Sequence, residues 1–84
     1  VDAIPHGHML VPRNQETPGV IAFICTILGE HDINIAGMFN ARETIGGQAL
    51  TVYNLDDPVP EAVLAEIEAD DRIVEAKYIA LNSA

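Results

Sequence analysis

Eighty-four residues with 49% hydrophobic content and a formal net charge of −9 are typical of one small globular domain. Nucleic acid and anionic membranes are disfavoured as partners because phosphate neutralisation needs clustered basic residues. The chain has only four, and they are scattered: Arg13, Arg42, Arg72 and Lys77. No apolar run approaches the ~20 residues of a membrane span. Cys25 is the single cysteine, so no internal disulfide is expected, and a reducing, cytoplasmic location is favoured.

The first seven residues, V-D-A-I-P-H-G, show little pattern and are interpreted as a linker from a preceding domain. The domain itself is therefore predicted over residues 8–82. A first strand is predicted over residues 8–13, H-M-L-V-P-R. Pro12 is expected near the end of this strand or at a bulge, because proline cannot donate a hydrogen bond to a β-ladder.

A strongly apolar helix is predicted from about residue 18 to residue 30. Thr17 is expected to cap its N-terminus, and Pro18 suits the first helical position. The apolar residues fall into two groups at helical spacing, one of Ile21, Ile24, Cys25 and Leu28 and one of Val20, Phe23 and Ile27. A helix that is apolar over most of its girth is expected to contact more than its own sheet.

The rest of the chain continues with a second strand from Ile33 to Arg42, in which apolar residues alternate. Gly46 and Gly47 suit the hairpin turn that follows, and a third strand is predicted over residues 48–55. D-D-P-V-P then breaks the sheet, Pro60 opens a second helix, and a last strand is predicted over residues 73–81. This order predicts an α+β, ferredoxin-like βαββαβ fold, with a four-stranded antiparallel sheet and two helices on one face.

Polar residues at both ends of the first helix form a candidate binding site. Asn14, Gln15 and Glu16 precede the N-terminus of the helix, whose free N–H groups attract an anion such as a carboxylate. Glu16 is suited to pair with an ammonium group, and the amides of Asn14 and Asn34 offer donors and acceptors. A carboxylate together with an ammonium describes a free amino acid. The alternative interpretation is that these residues only cap and solvate the loop.

Signatures of catalysis are missing from the sequence. There is no G-x-S-x-G, no Cys-x-x-Cys and no glycine-rich phosphate loop. His6, His8 and His31 lack the spacing of metal ligands, so no metal site is expected. Cys25 lies on an apolar helix face and is interpreted as a small buried hydrophobe. No catalytic residue and no cofactor are therefore expected in this domain.

Three segments resemble an ACT domain, and in particular the C-terminal regulatory domains of D-3-phosphoglycerate dehydrogenases. They are N-Q-E-T-P-G-V-I, L-G-E-H-D-I-N-I-A and G-G-Q-A-L-T-V-Y-N-L-D-D-P-V-P. The likeness covers residues 7–81. The resemblance implies that two copies pair edge to edge through the second strands, Ile33–Arg42, with the first helix lying over the junction.

The resemblance also implies that L-serine is held between the loop of one copy and the second strand of the other. By position, Asn14 and Glu16 match the family's loop contacts, and Asn34 matches the asparagine opposite. Backbone N–H groups after the loop are implied to complete the pocket. The implied ligand-binding residues are Asn14, Gln15, Glu16, Thr17, Pro18, Gly19, Val20 and Asn34.

The implied parent enzyme is an oxidoreductase of serine biosynthesis that binds NAD in its catalytic part. Asn14-Gln15-Glu16 differs from the loops of serine-regulated relatives, which often carry His or Tyr and then Asn or Asp, so the effector stays open. Asp32 stands where glycine is usual. Two alternatives remain: the ACT domain of an iron–sulfur L-serine dehydratase, and a dimerisation module that binds no ligand.

Overall fold

Four antiparallel strands form one sheet in the order β2-β3-β1-β4. The computed structural model describes residues 7–40 and 47–81. Its elements are β1 (His8–Gln15), α1 (Val20–Glu30), β2 (Ile35–Asn40), β3 (Gln48–Leu55), α2 (Glu61–Glu68) and β4 (Ile73–Ala80). One buried cluster joins residues of both helices to Leu10, Tyr53, Leu55 and Ala76 of the sheet, which places both helices on one face. The predicted βαββαβ fold is confirmed.

The start of α1 differs from the prediction. The helix begins at Val20 and its N-cap is Gly19, which has a φ of 90°. The prediction that Thr17 caps the helix and that Pro18 is its first residue is therefore wrong. The physical reason is the Pro-Gly pair, since proline followed by a glycine with positive φ is typical of a type II turn. This turn delays the helix, whose first hydrogen bond runs from the Phe23 N–H to the Gly19 carbonyl.

The buried side of α1 mixes the two predicted groups of apolar residues. Its buried residues are Val20, Ile24, Ile27 and Leu28. Ile21 is 44% exposed, and Phe23 and Cys25 are half-buried at the borders of the core. The large apolar residue that α1 leaves exposed is thus Ile21, near the start of the helix.

β1 extends to Gln15, two residues beyond the prediction, and lies in the interior of the sheet. Pro12 is buried and pairs with Ala76 of β4. The register between β1 and β4 shifts one residue further on, between Arg13 and Asn14. Pro12 was expected near the strand's end or at a bulge; it lies inside an interior strand, one residue before this register shift.

β2 is shorter than the predicted strand from Ile33 to Arg42. Ile33 and Asn34 precede the strand, and Arg42 lies outside the described residues, as do residues 1–6 of the predicted linker and residue 82 at the predicted end of the domain. The register with β3 shifts between Ile35 and Gly37, so the predicted uninterrupted alternation is wrong.

Beyond that shift, Met38 and Asn40 lie opposite Tyr53 and Thr51, on the face that the helices cover. Phe39 lies opposite Val52 and faces away from the helices. β2 is an edge of the sheet, as the resemblance requires for pairing between copies.

Replacing Tyr53 with phenylalanine is expected to stabilise the domain by about 1 kcal/mol. Tyr53 is fully buried and, within the described residues, its hydroxyl has no hydrogen-bond partner. Burial, and secondarily the nearby Cys25, raise the pKa of Tyr53 above its ordinary range, so the hydroxyl stays neutral. Removing an unsatisfied buried polar group removes its desolvation penalty. Urea unfolding measures the change in free energy.

The matched control is Tyr78→Phe. The Tyr78 hydroxyl is hydrogen-bonded to Nδ1 of His8 at 2.7 Å, so this variant is expected to lose about 1 kcal/mol. Equal destabilisation of the two variants would contradict the assignment of Tyr53 as an unsatisfied group.

Candidate functional site

A cavity of about 570 Å³ opens where β1 ends and α1 begins. One wall is the connection between these elements and the first turn of the helix, and the other wall is the sheet, at the adjoining ends of β1, β2 and β3. The lining residues are Asn14, Glu16, Thr17, Pro18, Val20, Ile21, Asn40, Ala49, Leu50 and Thr51. Five of the eight predicted ligand-binding residues thus meet in one place, and Gln15, Gly19 and Asn34 do not line the cavity.

Asn14 is the most buried polar residue of the predicted loop, at 6% exposure. Its Nδ2 donates a hydrogen bond to the carbonyl of Gln15 at 2.7 Å, which fixes the orientation of the amide. The Oδ1 atom is then the group that Asn14 offers to a ligand. An amide oxygen accepts hydrogen bonds and is suited to an ammonium group.

The backbone of the loop is held by hydrogen bonds to its surroundings. The N–H of Gln15 donates to the Arg72 carbonyl and that of Glu16 to the Gly47 carbonyl, both at 2.7 Å. The Thr17 N–H donates to the Gln15 carbonyl at 2.9 Å, and Pro18 has no N–H. The resemblance implies that backbone N–H groups from Thr17 to Val20 bind the ligand. Of these, only the N–H groups of Gly19 and Val20 remain available to it.

The first turn of α1 supplies further free donors beside the same cavity. The first helical hydrogen bond starts at Phe23, so within the described residues the N–H groups of Val20, Ile21 and Ala22 have no helical partner. Together with the helix dipole they favour an anionic group at this end of α1.

Arg72 supports the loop from the side of β4. Its guanidinium donates from Nε and Nη2 to the carboxylate of Asp70, at 2.8 and 2.9 Å. It also lies 5.3 Å from the centre of the Phe23 ring. Nη1 is 3.5 Å from the position that a Cβ atom on Gly19 would occupy, so the side chain reaches the start of α1. Arg72 thereby connects the turn before β4 to the loop and to the helix.

The Asp70 carboxyl is expected to titrate with a midpoint near pH 2. The hydrogen bonds from the side chain and the backbone N–H of Arg72 lower its pKa from 3.8 to about 2. A lowered pKa in the folded state means that this interaction stabilises the fold above about pH 3.8 and is lost as the pH falls toward 2. Carboxyl ¹³C chemical shifts measure the midpoint.

In the Arg72→Ala variant the Asp70 midpoint should move back toward 3.8. Arg13→Ala is the matched control, because Arg13 pairs with Glu75 at 3.1 Å and not with Asp70. An Asp70 midpoint near 3.8 in the wild-type protein would show that the contact does not persist in solution.

Asn34 lies at the opposite end of the sheet from the cavity. β1 and β2 run in the same direction, so the start of β2 is remote from the end of β1. Asn34 Nδ2 donates to Asp56 Oδ2 at 2.5 Å, and the Asn34 backbone N–H donates to Asp57 Oδ2 at 3.1 Å. The Asp56 N–H donates in turn to the Asn34 carbonyl at 3.0 Å. The side-chain Oδ1 of Asn34 takes no part in these three hydrogen bonds.

The residues that sequence reasoning missed are polar groups on β2 and β3 and their neighbours. Thr51 Oγ1 donates to Asn40 Oδ1 at 3.0 Å, and both residues line the cavity. Asp56 and Asp57 were interpreted only as a break in the sheet. The sequence offers one signal for this pair, the polar Thr51 within the mostly apolar third strand. Its partner Asn40 could not be inferred, because their pairing depends on the register of β2 against β3, which the bulge in β2 shifts.

His8, His31 and Cys25 do not line the cavity. His8 stacks on Tyr78, and His31 Nε2 lies 3.2 Å from Glu66 Oε1. His6 lies outside the described residues. In the ranges 7–40 and 47–81, no three His, Cys, Asp or Glu side chains converge on a point where a metal ion would bind. Neither helix has the length and apolar character needed to cross a bilayer, over the same part of the chain.

Comparison with known proteins identifies the family of this domain. The ACT domain family model matches residues 8–72. The chain is 37% identical over 83 residues to D-3-phosphoglycerate dehydrogenase of Archaeoglobus fulgidus, and 36% identical over 81 residues to that of Methanocaldococcus jannaschii. Each alignment covers 96% of this chain and 16% of the relative, so the chain spans about a sixth of the length of these relatives.

A solved structure contains a fold similar to that of this chain. The homoserine dehydrogenase of Thiobacillus denitrificans superimposes with a TM-score of 0.72 at 26% identity, over 89% of this chain and 17% of that protein. The match of the family model over most of the sequence and the βαββαβ order agree with each other. The chain belongs to the ACT domain family.

Proposed function

We propose that this chain is the regulatory domain of a D-3-phosphoglycerate dehydrogenase and that it binds a free amino acid, L-serine, between two copies. The rest of that enzyme would be a cytoplasmic, NAD-dependent oxidoreductase of serine biosynthesis, with NAD held in its catalytic part. The relatives at 36–37% identity bear this name, which supports the choice over an iron–sulfur dehydratase.

The observation that carries the proposal is the position of the cavity beside the free edge of β2. In a two-fold antiparallel pair centred on the midpoint of β2 (Ile35–Asn40), the partner's Ile35 would lie opposite Asn40. The partner's Asn34 then follows at the end of β2 that adjoins the cavity. A residue that is remote from the cavity within one copy is thus brought to it by pairing.

The exposed apolar side chains near this edge support the same arrangement. Ile21 of α1 is 44% exposed, and Met38 of β2 is 46% exposed. Ile21 lines the cavity, and Met38 lies on the helix-covered face of the edge strand. Pairing of two copies would cover both side chains and release apolar surface from water.

The chemistry of the combined site suits both ends of an amino acid. The free N–H groups of Val20, Ile21 and Ala22 attract the carboxylate. Asn14 Oδ1 and the partner's Asn34 Oδ1 accept hydrogen bonds from the ammonium group, and Glu16 adds a negative charge at the same cavity. Binding would then favour one arrangement of the two copies, with a coupling of about 1–3 kcal/mol.

Light scattering and calorimetry test the proposal on the purified chain. We expect dimers by light scattering, and heat of binding with L-serine but not with D-serine, because the enantiomer exchanges the positions of side chain and hydrogen. A chain that stays monomeric at high concentration contradicts the proposal. A dimer that gives no heat and no thermal shift with any amino acid supports the dimerisation module without ligand.

A further inference from the structure

We infer that Asn40 and Thr51 form the part of the cavity that recognises the ligand's side chain, and that they select amino acids with a side-chain oxygen over alanine. This inference rests on the proposed function and adds a specificity determinant to the same site. Neither residue is among the eight ligand-binding residues that were predicted from the sequence.

The two residues form a hydrogen-bonded polar pair in the lining of the cavity. Thr51 is only 3% exposed and donates from Oγ1 to Asn40 Oδ1 at 3.0 Å. On the same face of β3, its neighbours are Ala49 on one side and Tyr53 on the other. The apolar part of the cavity comes from Pro18, from Val20 and Ile21 of α1, and from Ala49 and Leu50 of β3.

The hydrogen bond determines which atoms are left for a ligand. Because Asn40 Oδ1 accepts from Thr51, the amide group that remains is Nδ2, which is a pair of donors. Thr51 Oγ1 still carries lone pairs that accept a hydrogen bond. An Nδ2 donor repels an ammonium group and binds an oxygen, and an accepting Oγ1 suits a hydroxyl hydrogen.

Each functional group of an amino acid then has its own place in the cavity. The carboxylate goes to the N-terminus of α1, and the ammonium goes to Asn14 Oδ1. Asn40 and Thr51, which lie on the sheet side of the cavity with Asn14, are left for the side chain. A hydroxyl group such as that of serine donates to Thr51 Oγ1 and accepts from Asn40 Nδ2. Alanine leaves both groups without a ligand partner, and a site built to hydrogen-bond a hydroxyl discriminates against such an analogue.

The experiment compares L-serine with L-alanine by calorimetry on the dimer. We expect the wild-type protein to bind L-serine about tenfold or more tightly than L-alanine. Thr51→Val preserves the shape of the side chain but removes the hydroxyl that holds Asn40, and Asn40→Ala removes the donors. In both variants the ratio of the two affinities should fall toward one, because L-serine loses hydrogen-bond partners while L-alanine, which makes no such bonds, binds at least as tightly as before. Thr51→Ser keeps the hydroxyl and should retain the preference.

The outcomes separate this inference from the proposed function. If the wild-type protein binds L-serine and L-alanine equally, or if Thr51→Val keeps the wild-type ratio, Asn40 and Thr51 do not select the side chain, and the amino-acid site itself stands. If neither amino acid binds to the wild-type dimer, the proposed function fails and the inference fails with it. If the ratio falls while L-alanine binds no more weakly than in the wild-type protein, the cavity and the dimer are intact. A purely structural role of Asn40 and Thr51 predicts instead that both amino acids bind more weakly.

Discussion

Replacing Asn34 with alanine is expected to weaken L-serine binding by about 10- to 100-fold while the dimer persists. The side chain of Asn34 is tethered through Nδ2 to Asp56, which leaves Oδ1 as an acceptor for the ammonium group of the ligand in the partner's cavity. Hydrogen bonds to charged groups contribute about 1.5–3 kcal/mol, and each 1.4 kcal/mol changes an affinity tenfold. Calorimetry gives the affinity, and light scattering shows whether the variant still pairs.

His31→Ala is the matched control for this prediction. His31 lies in the same connection between α1 and β2, but its side chain pairs with Glu66 of α2 and not with the proposed site. Its removal should leave the affinity for L-serine unchanged. If both variants lose affinity equally, the loss comes from a disturbed connection. Full affinity in Asn34→Ala would remove Asn34 from the ligand site.

The parts of the site that are local in sequence could be predicted from the sequence. Asn14, Glu16 and Thr17 are neighbours along the chain and precede an apolar helix, so they must lie near its N-terminus whatever the rest of the fold does. The strand over residues 48–55 was equally accessible, because β-branched and aromatic residues favour a half-buried strand. Its predicted bounds agree with β3.

The parts that depend on strand register could not be predicted in this way. The pairing of Asn40 with Thr51 requires the register of β2 against β3, and one extra residue after Ile35 shifts that register and exchanges the faces of the following side chains. A strict alternation from Ile33 onward therefore assigns Phe39 to the wrong face. No local sequence pattern predicts this bulge, because I-N-I-A-G-M-F-N is compatible with a continuous strand.

Contacts between distant elements were missed for a related reason. Asp56 and Asp57 lie more than twenty positions from Asn34, and Arg72 is far along the chain from Phe23 and Gly19. The contacts of Asn34 need β2 to pair with β3, and those of Arg72 need α1 to be packed beside the start of β4. The start of α1 was missed because two rules compete for T-P-G, and the turn geometry of Pro18 and Gly19 prevailed over capping by Thr17.

The largest change in stability is expected for Leu28→Ala, at about 2–5 kcal/mol of destabilisation. Leu28 is fully buried on α1 and belongs to the core that joins both helices to the sheet. Truncating it removes apolar contacts and leaves a cavity that the surroundings fill only in part. A domain of this size buries a small core, so such a loss is a large share of its total stability. Urea unfolding, followed by circular dichroism at several protein concentrations, measures it.

Ile21→Ala is the control on the same helix, and it separates the core of one copy from the proposed contact between copies. Because Ile21 is 44% exposed, its truncation should change the stability of the isolated copy by no more than about 0.5 kcal/mol. In a dimer that covers Ile21, the same truncation weakens association, so its effect on unfolding should appear only at concentrations where dimers form. Leu28→Ala should instead destabilise the chain at every concentration. A concentration-independent loss of several kcal/mol for Ile21→Ala would mean that this face of α1 is already packed within one copy, and the pairing through β2 would then lose its apolar contribution.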